Sequence, residues 1–453
     1  MAVAQAPTPL TGAQLASLSP QARAQYFAQL PPAQQQAAQA AYQDALVTIN
    51  RNYMKKTIFK KAVCPPASGS GTQQNYALGQ TLPFNVPTAE NAFLEGFWVR
   101  VTGNFDFAVG TSAVYAATKT RELALIDNIT VIYNGTQAKL RPYHINILQR
   151  LTGPLEPGWP NSVLAGTHNT PTDSYLTQGA LPVSSTNQLV TLEFYVPLNA
   201  LHVQDVRGLL PIDGSSTTCQ INIQCAAQLL GNDPILNTWY AVSGTGHAVT
   251  FTSGVAPVVS LIARYRDGTS YSGVNALPIN LGGMGTVQYF VDVPLNPITA
   301  GNILRQKITI LDQIYYAISV LVDGQQASDY ALESNIQVIE FGRDSTGFNL
   351  FWKYGVGTNM SIQEYFSELR YAIMEQDLPQ GVVPWVYAPV YNEADPANMN
   401  GTHVLNTDPN KQGWTDIHYG LQVNSLGATL SGVTPRVETF LVYVNSAGII
   451  SGS

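Results

Sequence analysis

Histidines are the side chains in this chain best suited to act as general bases or metal ligands, and their spacing argues against both roles. The six histidines form no HExxH pattern and no helical pair with a carboxylate, and the chain has no Gly-x-Ser-x-Gly nucleophile elbow. They are His144, His168, His202, His247, His403 and His418. We therefore expect no enzymatic activity and no catalytic residue.

The other residue types that bind cofactors also lack the required patterns. The glycines at 282, 283 and 285 have no phosphate-loop lysine, and the aspartates at 312, 323, 329 and 344 have no twelve-residue calcium loop. Three cysteines are too few for a disulfide scaffold, and Cys219 and Cys225 share the apolar face of an alternating strand. We expect no cofactor, no metal, and cysteines that pack in a core.

Aromatic residues offer one alternative function. The chain has 23 tyrosines and six tryptophans, and such rings can form a platform for sugars. The tryptophans are Trp98, Trp159, Trp239, Trp352, Trp385 and Trp414. In proteins built from strands these rings more often fill cores and subunit contacts. A carbohydrate-binding or polysaccharide-active protein is therefore the alternative, and it predicts a monomer with a groove and a carboxylate pair.

Basic residues are concentrated in the N-terminal region. Residues 1–89 contain six bases and one acid, Asp44, whereas the remainder contains 16 bases and 28 acids. Tyr42, Leu46, Ile49 and Tyr53 recur at steps of four, three and four, which places them on one helical stripe. The bases nearby are Arg51, Lys55, Lys56, Lys60 and Lys61. This pattern predicts an arm that docks through its apolar stripe and meets an anionic partner.

Helix signals delimit this arm. Ser19 followed by Pro20 is typical of a helix start, the prolines at 31 and 32 end that helix and begin the next, and the Pro, Gly and Ser residues of 65–71 indicate a linker. We expect residues 1–71 to form a helical arm with its linker. The chain opens without a leader pattern and has no apolar run long enough to span a bilayer.

Beyond the linker, apolar and polar residues alternate with a period of two. Segments 97–102, 190–196 and 219–225 show this pattern, and similar strands resume after the Gly- and Ser-rich stretch at 243–246. One helix is predicted in the second half, where Ser361 and Glu364 form a capping box. We expect a mainly β protein with two sandwiches, over residues 72–245 and 246–453. Only 11% of residues are charged, which suits extensive permanent contacts.

The two halves also share an order of features, which indicates a weak internal repeat. In the first half, a strand at 129–133 is followed by a helical patch at 145–151 and then by the segments 194–197 and 219–225. Their expected counterparts are the strand at 318–322, the capped helix, and the segments 385–389 and 417–423. Two sandwiches of similar topology would produce such a repeat.

Several short segments, in the same order along nearly the whole chain, resemble the major capsid protein of tectiviruses, which are bacteriophages with a membrane inside the shell. These segments are Leu10–Leu15, Phe84–Pro87, Leu94–Thr102, Phe194–Leu198, Leu378–Val382 and Tyr443–Ser451. The resemblance implies a double jelly roll, in which two eight-stranded sandwiches stand side by side. It also implies a trimeric capsomer of nearly hexagonal outline, and an N-terminal helix at the trimer base beside the internal membrane. The loops at 150–186 and 390–414 make this chain longer than the proteins it resembles.

The expected function is therefore that of a major capsid protein that trimerises and tiles an icosahedral virion around a membrane. The expected partners are further copies of the chain, membrane lipids, and vertex and minor capsid proteins, without sequence-specific nucleic acid. We expect assembly in the host cytoplasm and location in the virion. The arm residues predicted to contact membrane or neighbours are Tyr42, Leu46, Ile49, Arg51, Tyr53, Lys55, Lys56, Lys60 and Lys61. A trimeric vertex or spike protein is a further alternative.

Overall fold

The computed structural model describes most of the strands and the N-terminal helices. The described residues are 9–89, 92–108, 114–117, 125–141, 143–144, 147, 185–198, 209–212, 218–229, 240–243, 248–267, 286–295, 301–310, 313–322, 333–343, 349–372, 381–387, 405–406, 414–424 and 435–445. The predicted loops at 150–186 and 390–414 therefore lie largely outside the described residues.

Three helices open the chain, and local sequence explains where they begin. They are α1 (Gly12–Ser17), α2 (Pro20–Ala28) and α3 (Pro32–Lys56). The Thr11 side chain caps α1 within a capping box, and the Ser19 hydroxyl accepts a hydrogen bond from the Ala22 amide at 3.2 Å. The predicted start of the second helix at Ser19 and Pro20 is therefore confirmed.

The helical arm has a small core of its own. Leu15 is fully buried, and the ring of Phe27 meets that of Tyr42 edge to face at 6.4 Å between centroids. Gly12 lies directly against the backbone carbonyl of Ala41, where any side chain would overlap that oxygen. Because α1 approaches α3 this closely, the arm folds back on itself instead of extending as one helix.

Thirteen strands follow α3 in this half of the described chain. They are β1 (Ile58–Cys64), β2 (Gln73–Asn75), β3 (Thr81–Asn85), β4 (Ala92–Ala108), β5 (Val114–Ala117), β6 (Ile126–Tyr133), β7 (Thr136–Leu140), β8 (Ser185–Pro197), β9 (Leu210–Pro211), β10 (Cys219–Cys225), β11 (Tyr240–Ser243), β12 (Ala248–Phe251) and β13 (Val258–Asp267). Eleven of them form the two sheets of the first sandwich, and β5 and β11 pair in a separate two-stranded sheet. One main sheet has the order β1-β13-β4-β8 and the other the order β3-β10-β6-β7. All of these pairs are antiparallel.

Nine strands and one helix build the second sandwich. They are β14 (Thr286–Leu295), β15 (Leu304–Lys307), β16 (Gln313–Val322), β17 (Ile336–Arg343), β18 (Asn349–Gly355), α4 (Ile362–Ala372), β19 (Val382–Tyr387), β20 (Leu405–Asn406), β21 (Ile417–Val423) and β22 (Arg436–Asn445). A short 3-10 turn at Glu333–Asn335 precedes β17. The sheets have the orders β14-β22-β16-β19 and β15-β21-β17-β18.

Both sandwiches have the same topology. When the eight principal strands of each are counted along the chain, one sheet has the order first, eighth, third, sixth and the other has second, seventh, fourth, fifth. This is the arrangement of a jelly roll, in which two Greek keys place successive strands in opposite sheets. The predicted double jelly roll, with an N-terminal helical arm, is therefore confirmed.

The boundaries of the two sandwiches differ from the expected ones at 71 and 245. β1 pairs along its whole length with β13, and β13 pairs with β4, so the first sandwich runs from Ile58 to Asp267. The first jelly roll therefore begins inside the segment assigned to the arm. It ends inside the segment assigned to the second roll, because its first and last strands are neighbours in one sheet.

The internal repeat is present, with one difference in register. β8 and β19 are both sixth strands, and β10 and β21 are both seventh strands, as expected. The strand at 129–133, however, is the fourth of its sandwich, whereas the strand at 318–322 is the third. The counterpart of the strand at 129–133 is therefore β17. The pairing of β17 with β21 has a register shift between Ile336 and Val338.

The helix α4 lies between the fifth and sixth strands of the second sandwich, which is the position of Tyr143, His144 and Ile147 in the first. The Ser361 hydroxyl accepts a hydrogen bond from the Glu364 amide at 3.1 Å, so the predicted capping box is confirmed. Tyr365, Phe366 and Leu369 are buried along one face. In the first sandwich Tyr143, His144 and Ile147 are buried and helical at this position.

Candidate functional site

The nine arm residues predicted to contact membrane or neighbours do not form one surface. Tyr42 is buried within the arm, where the Arg23 guanidinium donates to its hydroxyl and also lies 4.3 Å from its ring centroid. Arg23 donates in addition to the Leu18 carbonyl at 2.9 Å. Tyr42 therefore belongs to the core of the arm, which corrects its assignment to a docking stripe.

Besides Tyr42, six of the predicted residues lie in the helix α3, as expected from their spacing. They are Leu46, Ile49, Arg51, Tyr53, Lys55 and Lys56, and their side chains lie outside the described part of the chain. Their contact with membrane or neighbours stays a prediction.

Lys60 and Lys61 occupy a different element from the one expected. Both lie on β1, at the edge of the first sandwich, because β1 continues the sheet beyond β13. Lys60 forms an ion pair with Asp267, which raises the pKa of Lys60, and the Lys61 ammonium lies 5.5 Å from the ring centroid of Trp98. These two bases are therefore part of the sandwich, not of the helical arm.

A buried ion cluster lies where the arm joins the sandwich. Glu95 on β4 is fully buried, and its two oxygens contact Arg264 Nε at 2.9 Å and Arg266 Nη2 at 3.1 Å. Arg266 also donates to the backbone carbonyl of Thr57 at 3.3 Å. One carboxylate is thus shared by two guanidinium groups, and Arg266 also binds Thr57, the residue between α3 and β1.

The two sandwiches meet along a side-to-side seam. β7 of the first sandwich lies beside β14 of the second, and the residues after β7 pack on β22. At this seam the buried Glu438 carboxylate accepts hydrogen bonds from Arg436 Nε at 2.5 Å, Tyr143 Oη at 3.1 Å and Arg141 Nη1 at 3.2 Å. Glu438 is therefore satisfied from both sandwiches at once.

His144 packs beside this carboxylate cluster. Its ring stacks on Phe440 at 4.2 Å between centroids, and its Nδ1 accepts a hydrogen bond from the Arg141 backbone amide at 3.2 Å. The proton of the neutral ring then lies on Nε2, which has no hydrogen-bond partner among the described residues. Burial, aided by the nearby Arg141 charge, holds the pKa of His144 well below its ordinary value of 6.5.

The cysteines and the histidine His418, which were also weighed as chemical groups, are packed inside the sandwiches. In the described part of the chain, no group of three or more His, Cys, Asp or Glu residues is placed to hold a metal. Burial raises the pKa of the Cys64, Cys219 and Cys225 thiols to about 12, and all three cysteines are free. His418 is buried on β21 beside Asp416. The other four histidines and the glycines at 282, 283 and 285 lie outside the described residues.

The described tryptophans serve mainly in packing. Trp352 and Trp385 stack at 6.1 Å between centroids in the second core, and Trp385 donates to the Ser319 hydroxyl at 2.7 Å. Trp414 is half exposed against Phe351. Trp159 and Trp239 lie outside the described residues. No described helix has the length and apolarity needed to cross a membrane.

Sequence reasoning did not find the seam residues Arg141, Tyr143 and Glu438. They are separated by nearly 300 positions, and each belongs to an ordinary strand or turn pattern. The only local signal was the alternation of Arg436, Glu438 and Phe440 on the face of β22 opposite the core residues Val437 and Thr439.

Comparison with known proteins supports the fold. No family model matches the chain, and no curated protein matches it in sequence. Among solved structures, the major capsid protein of Sulfolobus Turreted Icosahedral Virus superposes with a TM-score of 0.50 at 11% identity, covering 87% of this chain and 100% of that chain. VP54 of the virus PBCV-1 gives a TM-score of 0.52 at 11% identity, covering 87% and 95%.

The PBCV-1 virus capsid model gives a similar result, with a TM-score of 0.51 at 12% identity over 86% of this chain and 94% of that chain. These neighbours are double jelly-roll capsid proteins of viruses, and they are structural proteins. At such identities the likeness concerns the fold. It extends over both sandwiches, since it covers most of each chain.

We expect Glu438→Ala to destabilise the protein strongly. The substitution leaves the buried Arg436 and the nearby Arg141 without their shared carboxylate, which costs about 3–5 kcal/mol in comparable buried pairs. Glu193→Ala is the matched control, because Glu193 pairs with the half-exposed Arg100 and should contribute less than about 1 kcal/mol. Urea unfolding of both variants measures the difference, and equal losses would contradict a special role for the seam.

We expect acid to weaken the protein through His144. The pKa of His144 is depressed in the folded state, so the unfolded chain binds a proton first as the pH falls below 6.5. His144 then lowers the free energy of unfolding by about 1.4 kcal/mol per pH unit until the folded-state pKa is reached. His144→Phe should remove this part of the pH dependence. Unfolding midpoints of both proteins from pH 7.5 to 5 provide the test, and parallel curves would refute it.

Proposed function

We propose that this protein is a viral major capsid protein. The observation that carries the proposal is the pair of jelly rolls with identical topology, joined side to side in one chain, because capsid proteins of several viruses share this architecture over most of their length. The described residues add buried ion clusters and packed cysteines, which serve cohesion. A shell subunit needs such rigidity and broad sides more than it needs a reactive cleft.

We further propose that three copies form a capsomer and that capsomers tile an icosahedral shell. Each chain supplies two sandwiches of the same topology, so three chains supply six, which suits a nearly hexagonal outline. The low content of charged residues, 11%, supports large contacts between copies, because few ions have to lose their water. Vertex and minor capsid proteins complete this proposed assembly.

For the arm we propose contact with an internal membrane. Arg51, Lys55 and Lys56 lie in the last turns of α3, the end of the arm nearest the sandwich. Bases near an anionic lipid surface contribute about 1 kcal/mol each. The membrane contact is proposed for these three bases and not for Lys60 and Lys61, which lie on β1.

The capsid proposal predicts that the purified full-length chain forms a trimer and that particles containing it show a regular shell of capsomers. Size-exclusion chromatography with light scattering gives the mass, and electron microscopy gives the arrangement. A stable monomer that binds polysaccharide would favour the carbohydrate-binding alternative. A trimer confined to particle vertices would instead identify a spike protein.

The arm proposal predicts that the triple variant Arg51→Gln, Lys55→Gln and Lys56→Gln forms normal trimers but binds anionic vesicles less tightly. Loss of three contributions of about 1 kcal/mol corresponds to an affinity lower by about 100-fold at low salt. Flotation with phosphatidylserine vesicles measures binding. Lys139→Gln, on the exposed part of β7, is the control for a general loss of positive charge. Unchanged flotation of the triple variant would refute the membrane contact.

A further inference from the structure

A short segment after β7 makes several of the side-chain contacts between the two sandwiches. Arg141 and Tyr143 of this segment donate hydrogen bonds to the Glu438 carboxylate on β22, at 3.2 and 3.1 Å. The ring of His144 stacks on that of Phe440, also on β22, at 4.2 Å between centroids. A change in the state of this segment therefore acts on the joint between the sandwiches.

His144 is held in this seam in its neutral form. Its Nδ1 accepts a hydrogen bond from the Arg141 backbone amide at 3.2 Å, so the single ring proton lies on Nε2. Nε2 is buried and has no hydrogen-bond partner among the described residues. Because an unsatisfied buried donor costs free energy, the closed seam is already weakened at this point before the ring takes up a second proton.

A protonated ring does not fit the position that His144 occupies. Imidazolium carries a proton on both nitrogens, so Nδ1 would direct its proton at the Arg141 amide, which is itself a donor. The ring is fully buried, so its charge would also lose its water. The face of Phe440 attracts a cation, but this attraction is smaller than the cost of removing the charge from water. Protonation therefore requires that the ring leave the seam.

The charged groups that face His144 from both sandwiches add to this effect. Among the described residues, Arg141 lies in the first sandwich, and Arg436 and Glu438 lie on β22 of the second. The Glu438 carboxylate already accepts hydrogen bonds from both arginines and from the Tyr143 hydroxyl, so most of its capacity is used. A proton on His144 would place a third cation beside a single carboxylate.

We propose that the seam is an acid-sensitive hinge: when His144 takes up a proton, its ring leaves the seam and the two sandwiches separate there while each keeps its own sheets. The ladders that join strands within each sandwich do not use this ring, so they persist. The inference concerns the single chain and does not depend on the capsid proposal. If that proposal also holds, acid would loosen every subunit of the shell.

Hydrogen exchange of the full-length chain, followed by mass spectrometry, tests the hinge. Burial holds the pKa of His144 below 6.5 in the closed seam, whereas an exposed ring has its ordinary pKa, so opening becomes more favourable as the pH falls below 6.5. Protection of the peptide that contains Arg141 and His144, corrected for the intrinsic effect of pH on exchange, should fall by up to about tenfold per pH unit. β10, which lies between β3 and β6, should keep its protection.

Two substitutions identify the proton site. His144→Asn keeps an oxygen acceptor for the Arg141 amide, and His144→Phe keeps a ring that stacks on Phe440, but neither side chain takes up a proton in this range. Corrected protection in both variants should be independent of pH. His418→Asn is the matched control, because His418 is also buried but lies on β21, and it should retain the full acid response. Circular dichroism at pH 7.5 shows whether each variant is folded, and the comparison with β10 within the unmodified chain needs no variant.

A second measurement tests whether the sandwiches move apart. Val255→Cys and Val356→Cys place one spin label on each sandwich, at positions that are 55% and 65% exposed. The three native cysteines are buried with thiol pKa values raised to about 12, so they react slowly with the label. The distance between the labels, measured by double electron–electron resonance, should lengthen and broaden between pH 7.5 and pH 5. With His144→Asn added, it should not change.

Each result either supports the hinge or overturns it. Parallel loss of protection in β10 and in the His144 peptide would mean that the whole first sandwich unfolds in acid. Constant protection down to pH 5, or an acid response that persists in both His144 variants, would show that this ring is not the trigger. Loss of protection without a change in label distance would confine the opening to the segment and refute the separation of the sandwiches. The capsid proposal is tested separately, by the oligomeric state.

Discussion

The burial of one sandwich side against another is the constraint on which the rest of this structure depends. A jelly roll closes its two sheets face to face but leaves its lateral edges to be covered, because edge strands expose unpaired backbone and apolar side chains. Here the first sandwich covers its fifth-strand edge with β14 and with residues that reach β22. Among the described strands, the seam thereby covers one lateral edge of each sandwich.

The polar groups at this seam explain how two sandwiches are held in one orientation. Apolar contact alone permits sliding, whereas Glu438 requires donors at defined positions, and it receives them from Arg141, Tyr143 and Arg436. The cluster around Glu95 plays the same part where the arm joins β1, since Arg266 links that carboxylate to the Thr57 carbonyl. Both clusters are buried, so their geometry is less affected by salt than that of surface pairs.

The proposed role as a capsid protein agrees with the surroundings of the buried side chains. The described residues include packed thiols, a buried neutral His144 and stacked tryptophans, and each is explained by cohesion of the sandwiches. Lys60 and Lys61 show how the element that carries a residue decides its contacts. On the edge strand β1 these two bases contact Asp267 and Trp98 of the sandwich.

The sequence by itself determined the local features: the helix starts at Ser19 and Ser361, the core-facing cysteines of β10, the predominance of strands and the presence of two similar halves. These features depend on residues a few positions apart, because helix capping and the alternation of apolar and polar residues are local to one helix or strand. Only the tertiary structure decided that β1 pairs with β13 about 200 residues later, that the strand at 129–133 corresponds to β17, and that Tyr143 meets Glu438. Such pairings depend on the formation of whole sheets and on packing between distant parts of the chain. No single segment of the sequence contains a periodicity or a motif that specifies them.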